Sequence, residues 1–261
     1  MTALDALLRA EAGSFFLETV RITGLIIVAP LPWTMAPARF RAVLVLLLTL
    51  AAHGANLAPQ HVPASSELIA FAVASEFVLG AALGFVVRLL VAIAEMVADV
   101  IAPQIGLGAA QIFDPQTSAS ATPLTGLFRN LAVFLALIVG VHRVVIGSLL
   151  VSFKLIPPGA VASAEQSVPV ILQLSAHALA AGVRLALPVI AILFITQVAL
   201  SFISRAAPAM QIFSVGFAVT LTVGMLVVFL ILPDFGHEFL AEASHVGTQL
   251  ETLLVAFGGR P

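Results

Sequence analysis

Residues 68–101 read LIAFAVASEFVLGAALGFVVRLLVAIAEMVADVI, a long and mostly apolar stretch. A membrane-spanning helix needs roughly 20 apolar residues, because the hydrocarbon core is about 30 Å thick and each helical residue rises about 1.5 Å. Backbone groups surrounded by lipid must form hydrogen bonds within their own segment, so helix is the expected conformation. The stretch therefore predicts a membrane helix that is too long for one straight span.

The composition of the whole chain agrees with a membrane protein. Of the 261 residues, 61% are hydrophobic and only 9% are charged, and the mean hydropathy is +1.16. A soluble domain has roughly 25% charged residues, so lipid or a large protein partner must cover much of this surface. The net charge of −2 provides no basic field for nucleic acid, and the absence of Cys excludes disulfides, thiolate zinc sites and cysteine nucleophiles. The N-terminus lacks a basic region and cleavage site of a secretory signal, so we expect the first apolar segment to be retained.

Six apolar segments predict an all-α membrane protein of long, kinked helices and helical hairpins, with one re-entrant, plug-like loop. They span about 15–29, 40–57, 68–101, 124–156, 171–204 and 212–232. The first two are short or marginal, whereas the third, fourth and fifth must tilt, bend or protrude. We expect Pro157 and Pro233 to end the fourth and sixth segments, and Pro188 to kink the fifth, which Pro208 follows.

The chain after Pro233 has a different pattern. Apolar residues recur there at heptad-like spacing: Phe239, Ala243, Val246, Leu250, Leu253 and Phe257. This spacing predicts an amphipathic helix that lies on a surface, docks on a partner or folds back on its own bundle. We therefore divide the chain into a polytopic helical core, residues 1–233, and an amphipathic C-terminal tail, residues 234–261.

The apolar segments carry ionisable residues at depth: Glu18, Arg21, Glu76, Arg88, Glu95, Asp99, Arg143 and Arg184. A charge at the centre of an isolated membrane helix costs about 2.5–3.5 kcal/mol, so such groups usually face a bundle interior, a watery cavity or a partner. Glu18 and Arg21 are three residues apart and can pair on one helix face, which favours a structural role. Arg88, Glu95 and Asp99 share a face, and the two carboxylates need another cation or water. These three residues either line a hydrated transport path or form structural ion pairs.

Gly80 and Gly84 enclose a small-xxx-small motif in the third segment. Small residues at this spacing let two helices approach closely. The motif is common in membrane helices, so it predicts helix packing and nothing more specific.

Residues 103–123 read PQIGLGAAQIFDPQTSASATP and differ from an ordinary polar turn. Gly106 and Gly108 permit unusual backbone angles, and Asp114-Pro115 favours a turn. Apolar residues lie between these breakers: Ile105, Leu107, Ile112 and Phe113. Irregular backbone at membrane depth is tolerated only where it is buried or lines a cavity. We therefore expect a compact re-entrant loop that obstructs or lines a central path, with an apolar-tipped surface loop as the alternative.

Catalytic motifs are missing from the sequence. It contains no GxSxG elbow, no HExxH pair and no phosphate-binding P-loop, and its six His are scattered. We therefore predict no enzymatic activity, no metal and no cofactor.

Five stretches, in this order, carry a resemblance to a known family. They are Val20-Arg21-Ile-Thr-Gly with Ala29-Pro30 and Pro37-Ala-Arg39; Gly80-Ala-Ala-Leu-Gly84-Phe; Gln104-Ile-Gly-Leu-Gly108 with Phe113-Asp-Pro115; Phe153-Lys-Leu-Ile-Pro-Pro-Gly159; and Ser204-Arg-Ala-Ala-Pro208 continuing to Gly216-Phe. Together they resemble the FliR family of flagellar export proteins and its injectisome counterparts, the SctT group, over about residues 20–233. Phe113-Asp-Pro115 followed by Thr122-Pro-Leu124 looks more flagellar.

The resemblance implies a core subunit of the flagellar type III protein-export gate, in the basal body of the bacterial inner membrane. Its partners would be FliP-like, FliQ-like and FlhB-like membrane subunits, and unfolded flagellar subunits would pass through the assembly. A separate ATPase and the proton motive force would supply the energy. The resemblance also implies that one loop plugs the closed channel, namely Gln104, Ile105, Gly106, Leu107, Gly108, Ile112, Phe113, Asp114 and Pro115.

Three other functions remain open from the sequence. The first is an injectisome export subunit of the same family. The second is a secondary transporter of small solutes that uses Arg88, Glu95 and Asp99 as ligands, although no inverted internal repeat is visible. The third is an intramembrane enzyme, which the missing motifs disfavour. Dependence on partner subunits separates an export gate from a transporter.

Overall fold

The computed structural model describes residues 3–55, 66–107, 122–160, 164–206 and 212–258, and most of these residues are helical. Its helices are α1 (Ala3–Val28), α2 (Ala38–Gly54), α3 (Ser66–Gln104), α4 (Pro123–Val139), α5 (Val141–Leu155), α6 (Ala164–Ala206) and α7 (Ile212–Gly258), with a 3-10 turn, Pro32–Met35, between α1 and α2. No strand occurs within these ranges, which confirms the predicted all-α fold.

Three of the described helices are long and apolar enough to cross a membrane. They are α3, α6 and α7, and the pair α4–α5 would make a fourth span if the two helices act as one. The first two predicted segments correspond to α1 and α2, which do not meet the same length and composition criteria. A chain with this many apolar helices is a membrane protein.

The fourth predicted segment is bent. Helices α4 and α5 meet at Gly140, where the axes turn by 67° and the backbone adopts the left-handed φ of 85°. Residues with a side chain disfavour this region of φ, so glycine suits the junction. Helix α5 ends at Leu155, directly before Ile156 and Pro157. Of the three possibilities that the length allowed, namely tilting, bending or protruding, the fourth segment thus bends, and its predicted end before Pro157 is confirmed.

The prediction that the sixth segment ends at Pro233 is wrong, because α7 continues through this residue to Gly258. An interior proline removes one backbone hydrogen bond and costs about 3 kcal/mol. Burial of the following turns offsets that cost, since Phe235 and Phe239 are 2% and 0% exposed. Pro188 likewise lies inside α6, where the predicted kink stays a prediction.

The C-terminal part of α7 packs against the chain itself. Val246, Leu250 and Leu253 are almost fully buried, as the heptad-like spacing requires. A Cβ atom at Gly247 would lie 3.5 Å from Val144 of α5, so this part of α7 contacts α5. The geometry matches the alternative in which the tail folds back on its own bundle. A functional division of the chain at residue 233 stays a prediction.

The helices form two compact units. Unit 1 comprises Met1–Leu90, Ala136–Ala176 and Ala243–Pro261, and unit 2 comprises Val91–Leu135 and His177–Glu242. The core of unit 1 includes Ile22, Leu25, Val87 and Phe153, each at most 1% exposed. In unit 2 the rings of Phe128 and Phe235 meet edge to face at 5.0 Å. Each unit contains one of the two sites described below.

Candidate functional site

The carboxyl end of α3 closes in a tight turn. The Gly106 N–H donates to the Pro103 carbonyl at 3.1 Å, and the Leu107 N–H donates to the Ala102 carbonyl at 3.0 Å. This pair of hydrogen bonds defines a Schellman motif, which requires a left-handed residue, and Gly106 has a φ of 87°. A Cβ atom at Gly106 would also lie 2.7 Å from the Phe217 ring. Both the left-handed backbone and the nearby ring therefore favour glycine at position 106. The turn fixes where the following loop begins.

Ile105 anchors this turn in unit 2. Its side chain is fully buried, and its Cγ2 atom lies so close to Gly224 that any Cβ there would overlap it. A cavity of about 400 Å³ lies beside the turn, lined by Gln104, Ile105, Gly106, Gln197, Leu200, Gly216, Phe217 and Thr220. Of the predicted loop residues, the structure thus describes 104–107: Ile105 is buried, whereas Gln104, Gly106 and Leu107 are half-buried. The others lie outside the described residues: Gly108, Ile112, Phe113, Asp114 and Pro115.

The loop ends at the first turn of α4, which is also tied to α3. The Thr125 N–H donates to the Thr122 hydroxyl at 3.3 Å, as in a helix N-cap. The Thr125 hydroxyl in turn donates to the Asp99 carboxylate of α3 at 2.6 Å. One turn later in α4 and one turn earlier in α3, Arg129 donates to Glu95 at 2.5 Å. These contacts, here called the loop clamp, hold the α4 end of the segment 108–121 against α3, the helix from which the segment starts.

The loop clamp accounts for two of the acidic residues singled out from the sequence. Glu95 and Asp99 are like charges on one face of α3, and the structure supplies Arg129 for the first and a hydroxyl donor for the second. Sequence reasoning missed both Arg129 and Thr125. Arg129 was detectable as a cation near the start of the fourth apolar segment, whereas Thr125 carried no signal. Arg88, the third residue of that face, is half-buried and belongs to unit 1.

A second cluster of charge lies in the core of unit 1. Arg21 of α1 is 0% exposed and donates to both carboxylate oxygens of Glu76 on α3, at 2.6 and 3.0 Å. The expected pairing of Arg21 with Glu18 is therefore wrong, because Glu18 instead bonds His53 of α2 at 3.2 Å. A spacing of three residues allowed a contact within α1, but a bidentate contact to a neighbouring helix satisfies more of the guanidinium.

The remaining donors of Arg21 reach α5 and its end. They bond the Ser152 hydroxyl at 3.1 Å and the Ile156 carbonyl at 2.9 Å, and the guanidinium lies 4.6 Å from the Phe153 ring centre. Glu76 also accepts the Gly159 N–H at 3.0 Å. We call this set the ionic node. It joins α1, α3, α5 and the turn after α5, and it satisfies a charge pair that would otherwise be costly to bury.

Gly80 and Gly84 allow the ionic node to form. A Cβ atom at Gly80 would overlap the carbonyl oxygen of Arg21, and one at Gly84 would lie 2.9 Å from the carbonyl oxygen of Leu25. The backbones of α1 and α3 are therefore in direct contact along the small-xxx-small motif. This approach brings Glu76 within reach of Arg21.

Comparison with known families extends these observations. Residues 12–246 match the model of a family described as bacterial export proteins, family 1. That range includes the ionic node, the loop clamp and both ends of the segment between α3 and α4. The chain belongs to the bacterial export proteins, family 1.

Curated relatives agree with the family assignment. The chain is 28% identical over 220 residues to the flagellar biosynthetic protein FliR of Escherichia coli K12, covering 84% of each chain. It is 31% identical over 228 residues to the protein of that name from Pectobacterium carotovorum, covering 85% of each. The FliR protein of Aquifex aeolicus is 28% identical over 178 residues, which is 68% of each chain. The similarity to these export-family proteins thus covers most of the chain in each case.

In this member of the export family, three stretches that carried the resemblance meet at one place. The stretch beginning Val20-Arg21, the Gly80–Gly84 stretch and the Phe153–Gly159 stretch all contribute to the ionic node or its approach. Among the described residues, no three His, Asp or Glu side chains are placed to hold a metal ion. The arrangement suits rigid helix packing.

Pro208, which the sequence places after the fifth apolar segment, lies outside the described residues.

Proposed function

We propose that the chain is a subunit of the flagellar type III protein-export gate. The observation that supports this most strongly is the family match over residues 12–246, together with relatives that share one flagellar name across distant bacteria. In this role the chain binds and guides other polypeptides and catalyses no reaction. The relatives named above are flagellar, which favours this assignment over an injectisome subunit.

We further propose that it assembles with FliP-like, FliQ-like and FlhB-like subunits in the bacterial inner membrane, at the flagellar basal body. Large apolar side chains in the long helices support the need for partners or lipid. Ile195 and Phe202 of α6 and Phe229 of α7 are 67%, 68% and 72% exposed in the isolated chain. Monomeric soluble proteins rarely expose apolar surface of this kind without an interaction to cover it.

We infer that the segment from Gln104 to Pro115 is the channel plug through which export is gated. Two features support this inference. The Schellman turn and the loop clamp fix both ends of the segment between α3 and α4, so movement between them would not require either helix to move. The segment combines glycines with apolar residues such as Leu107 and Phe113, which suits a plug that fills a pore and can be displaced.

The loop clamp also disfavours the solute-transporter alternative. A transporter would need Glu95 and Asp99 to be available for an ion or a substrate. Both carboxylates are instead hydrogen-bonded to side chains of α4. We therefore assign these two residues a structural role at the base of the loop.

Deletion of the gene in its own bacterium tests the flagellar assignment. We expect the deletion strain to lack filaments and to release no flagellar subunits into the medium, and a plasmid copy of the gene to restore both. Immunoblotting of culture supernatants for hook and filament protein measures export directly. Normal export in the deletion strain would contradict the proposal, whatever the effect on swimming.

A further inference from the structure

A groove between α1 and α2 in unit 1 belongs to neither site described above. Its volume is about 570 Å³, within the range of small-molecule sites. Its lining residues are Phe15, Thr19, Thr23, Ile26, Ile27, Ala38, Arg41, Ala42, Val45 and Leu46. The two helices are joined by the short connection of residues 29–37, so Ile27 and Ala38 lie at the end of the groove where the hairpin turns.

The walls of the groove are apolar along their length. The two threonine hydroxyls that line it are used within α1, since Thr19 donates to the Phe15 carbonyl at 2.8 Å and Thr23 donates to the Thr19 carbonyl at 2.7 Å. Such bonds to the preceding turn leave no free hydroxyl donor for a ligand. The lining contains no Asp or Glu. An occupant of this part must therefore be apolar.

The hairpin end of the groove carries a different chemistry. Arg41 lines the groove here and is half-buried, and its Nε atom has no hydrogen-bond partner among the described residues. The indole N–H of Trp33, in the 3-10 turn of the connection, is also buried and without a partner among the described residues, although Trp33 itself does not line the groove. A buried donor without a partner costs about 1–3 kcal/mol, and more when it is charged, so an acceptor at Arg41 would be strongly stabilised. Tryptophan and arginine together are typical of the boundary between hydrocarbon and headgroups.

The length of the groove matches a lipid chain. Phe15 and Ile27 are twelve residues apart on α1, which corresponds to about 18 Å. One leaflet makes up half of the hydrocarbon core, which is about 30 Å thick in total. An acyl chain that starts at the hairpin end would therefore extend along most of the groove.

We propose that this groove binds one phospholipid, with its phosphate on Arg41 and an acyl chain along α1 and α2. Arginine binds phosphate oxygens through charge-assisted hydrogen bonds, and the apolar walls accommodate the chain. A purely apolar helix from a partner subunit would fill the walls but leave the Arg41 donor unpaired. The site is independent of the proposed export role, because it uses only the geometry of the α1–α2 hairpin.

Native mass spectrometry of the full chain, titrated with phosphatidylglycerol in mild detergent, tests the proposal. We expect one tightly bound lipid in the wild-type protein and at least tenfold weaker binding in Arg41→Gln. Arg39→Gln is the matched control, because Arg39 is exposed on the same helix and does not line the groove. Equal losses in both variants would overturn the proposal, since binding would then depend only on surface charge.

A second variant and a second measurement separate the possible occupants. Ala42→Phe fills the groove and keeps Arg41, so it should also weaken lipid binding at least tenfold. Unchanged binding in Ala42→Phe, or equal competition by inorganic phosphate, would show an anion site that uses no acyl chain and would overturn the proposal. A photoreactive residue at position 45, activated in living cells, should crosslink to lipid. Crosslinking to another protein instead would identify a partner helix as the occupant and would also overturn it.

Discussion

Replacing Glu76 with leucine should strongly destabilise the protein. Glu76 is 1% exposed and accepts hydrogen bonds from Arg21 and from the Gly159 N–H. In Glu76→Leu the guanidinium of Arg21 stays buried with only the Ser152 hydroxyl and the Ile156 carbonyl as acceptors. The positive charge of Arg21 then remains in the core of unit 1 without the carboxylate that it contacts directly.

The expected cost is about 3–5 kcal/mol, which is typical when one partner of a buried ion pair is removed. For a chain of this size, each kcal/mol shifts the melting temperature by about 2–4 °C, so Glu76→Leu should melt roughly 6–20 °C below the wild type. The double variant Arg21→Met/Glu76→Leu removes both charges and replaces them with apolar volume. It should recover most of the loss, because burying the pair is itself costly.

Loss of the helical circular-dichroism signal on heating, with the full chain in one mild detergent, measures these differences. Arg184→Met is the matched control, because Arg184 is an exposed cation within an apolar helix. We expect that control to change stability by no more than about 0.5 kcal/mol. The reasoning would be refuted if Glu76→Leu melted like the control, or if the double variant lost as much as the two single variants combined.

Three further variants test the helix contact, the loop clamp and the plug. Gly80→Ala should destabilise the chain by at least about 1–3 kcal/mol, because the added Cβ atom overlaps the backbone of α1. Gly126→Ala is the control, because its Cβ atom meets open space, and it should leave the melting temperature unchanged in the same thermal melt. Thr125→Val removes a hydrogen-bond donor to the Asp99 carboxylate and should lower the free energy of unfolding by about 1.5–3 kcal/mol. Thr222→Val is the control, because the Thr222 hydroxyl bonds only its own helix. An equal loss of stability in both variants would contradict the loop clamp. Deleting residues 108–113, which keeps the Schellman turn at Gly106 and Leu107, should leave assembly intact but let ions leak across the membrane. A membrane-potential dye in cells measures the leak, and unchanged permeability would argue against the plug.

The helices and the membrane class could be predicted from the sequence because they depend on local composition and length. The length of the fourth apolar segment predicted that it would tilt, bend or protrude, but the position of the bend at Gly140 came only from the structure. The end of α5 followed from the prolines after Leu155.

The partners of buried charges could not be predicted, because they depend on how distant helices approach each other. The spacing of Glu18 and Arg21 allowed a local pair, but the contact of α1 and α3 at Gly80 lets Arg21 bond Glu76, which is 55 residues away in sequence. Proline at 233 was misleading for a related reason. Its cost is local, whereas the burial of Phe235 that offsets it is a property of the folded unit.

Purification of the protein from its native membrane in mild detergent, with partners identified by mass spectrometry, tests the central claim most directly. A subunit of the export gate should be recovered together with FliP-like and FliQ-like proteins in a fixed ratio, and an unrelated membrane protein from the same extract should not carry them. Recovery of the chain alone, or only as a homo-oligomer, would contradict the export-gate assignment.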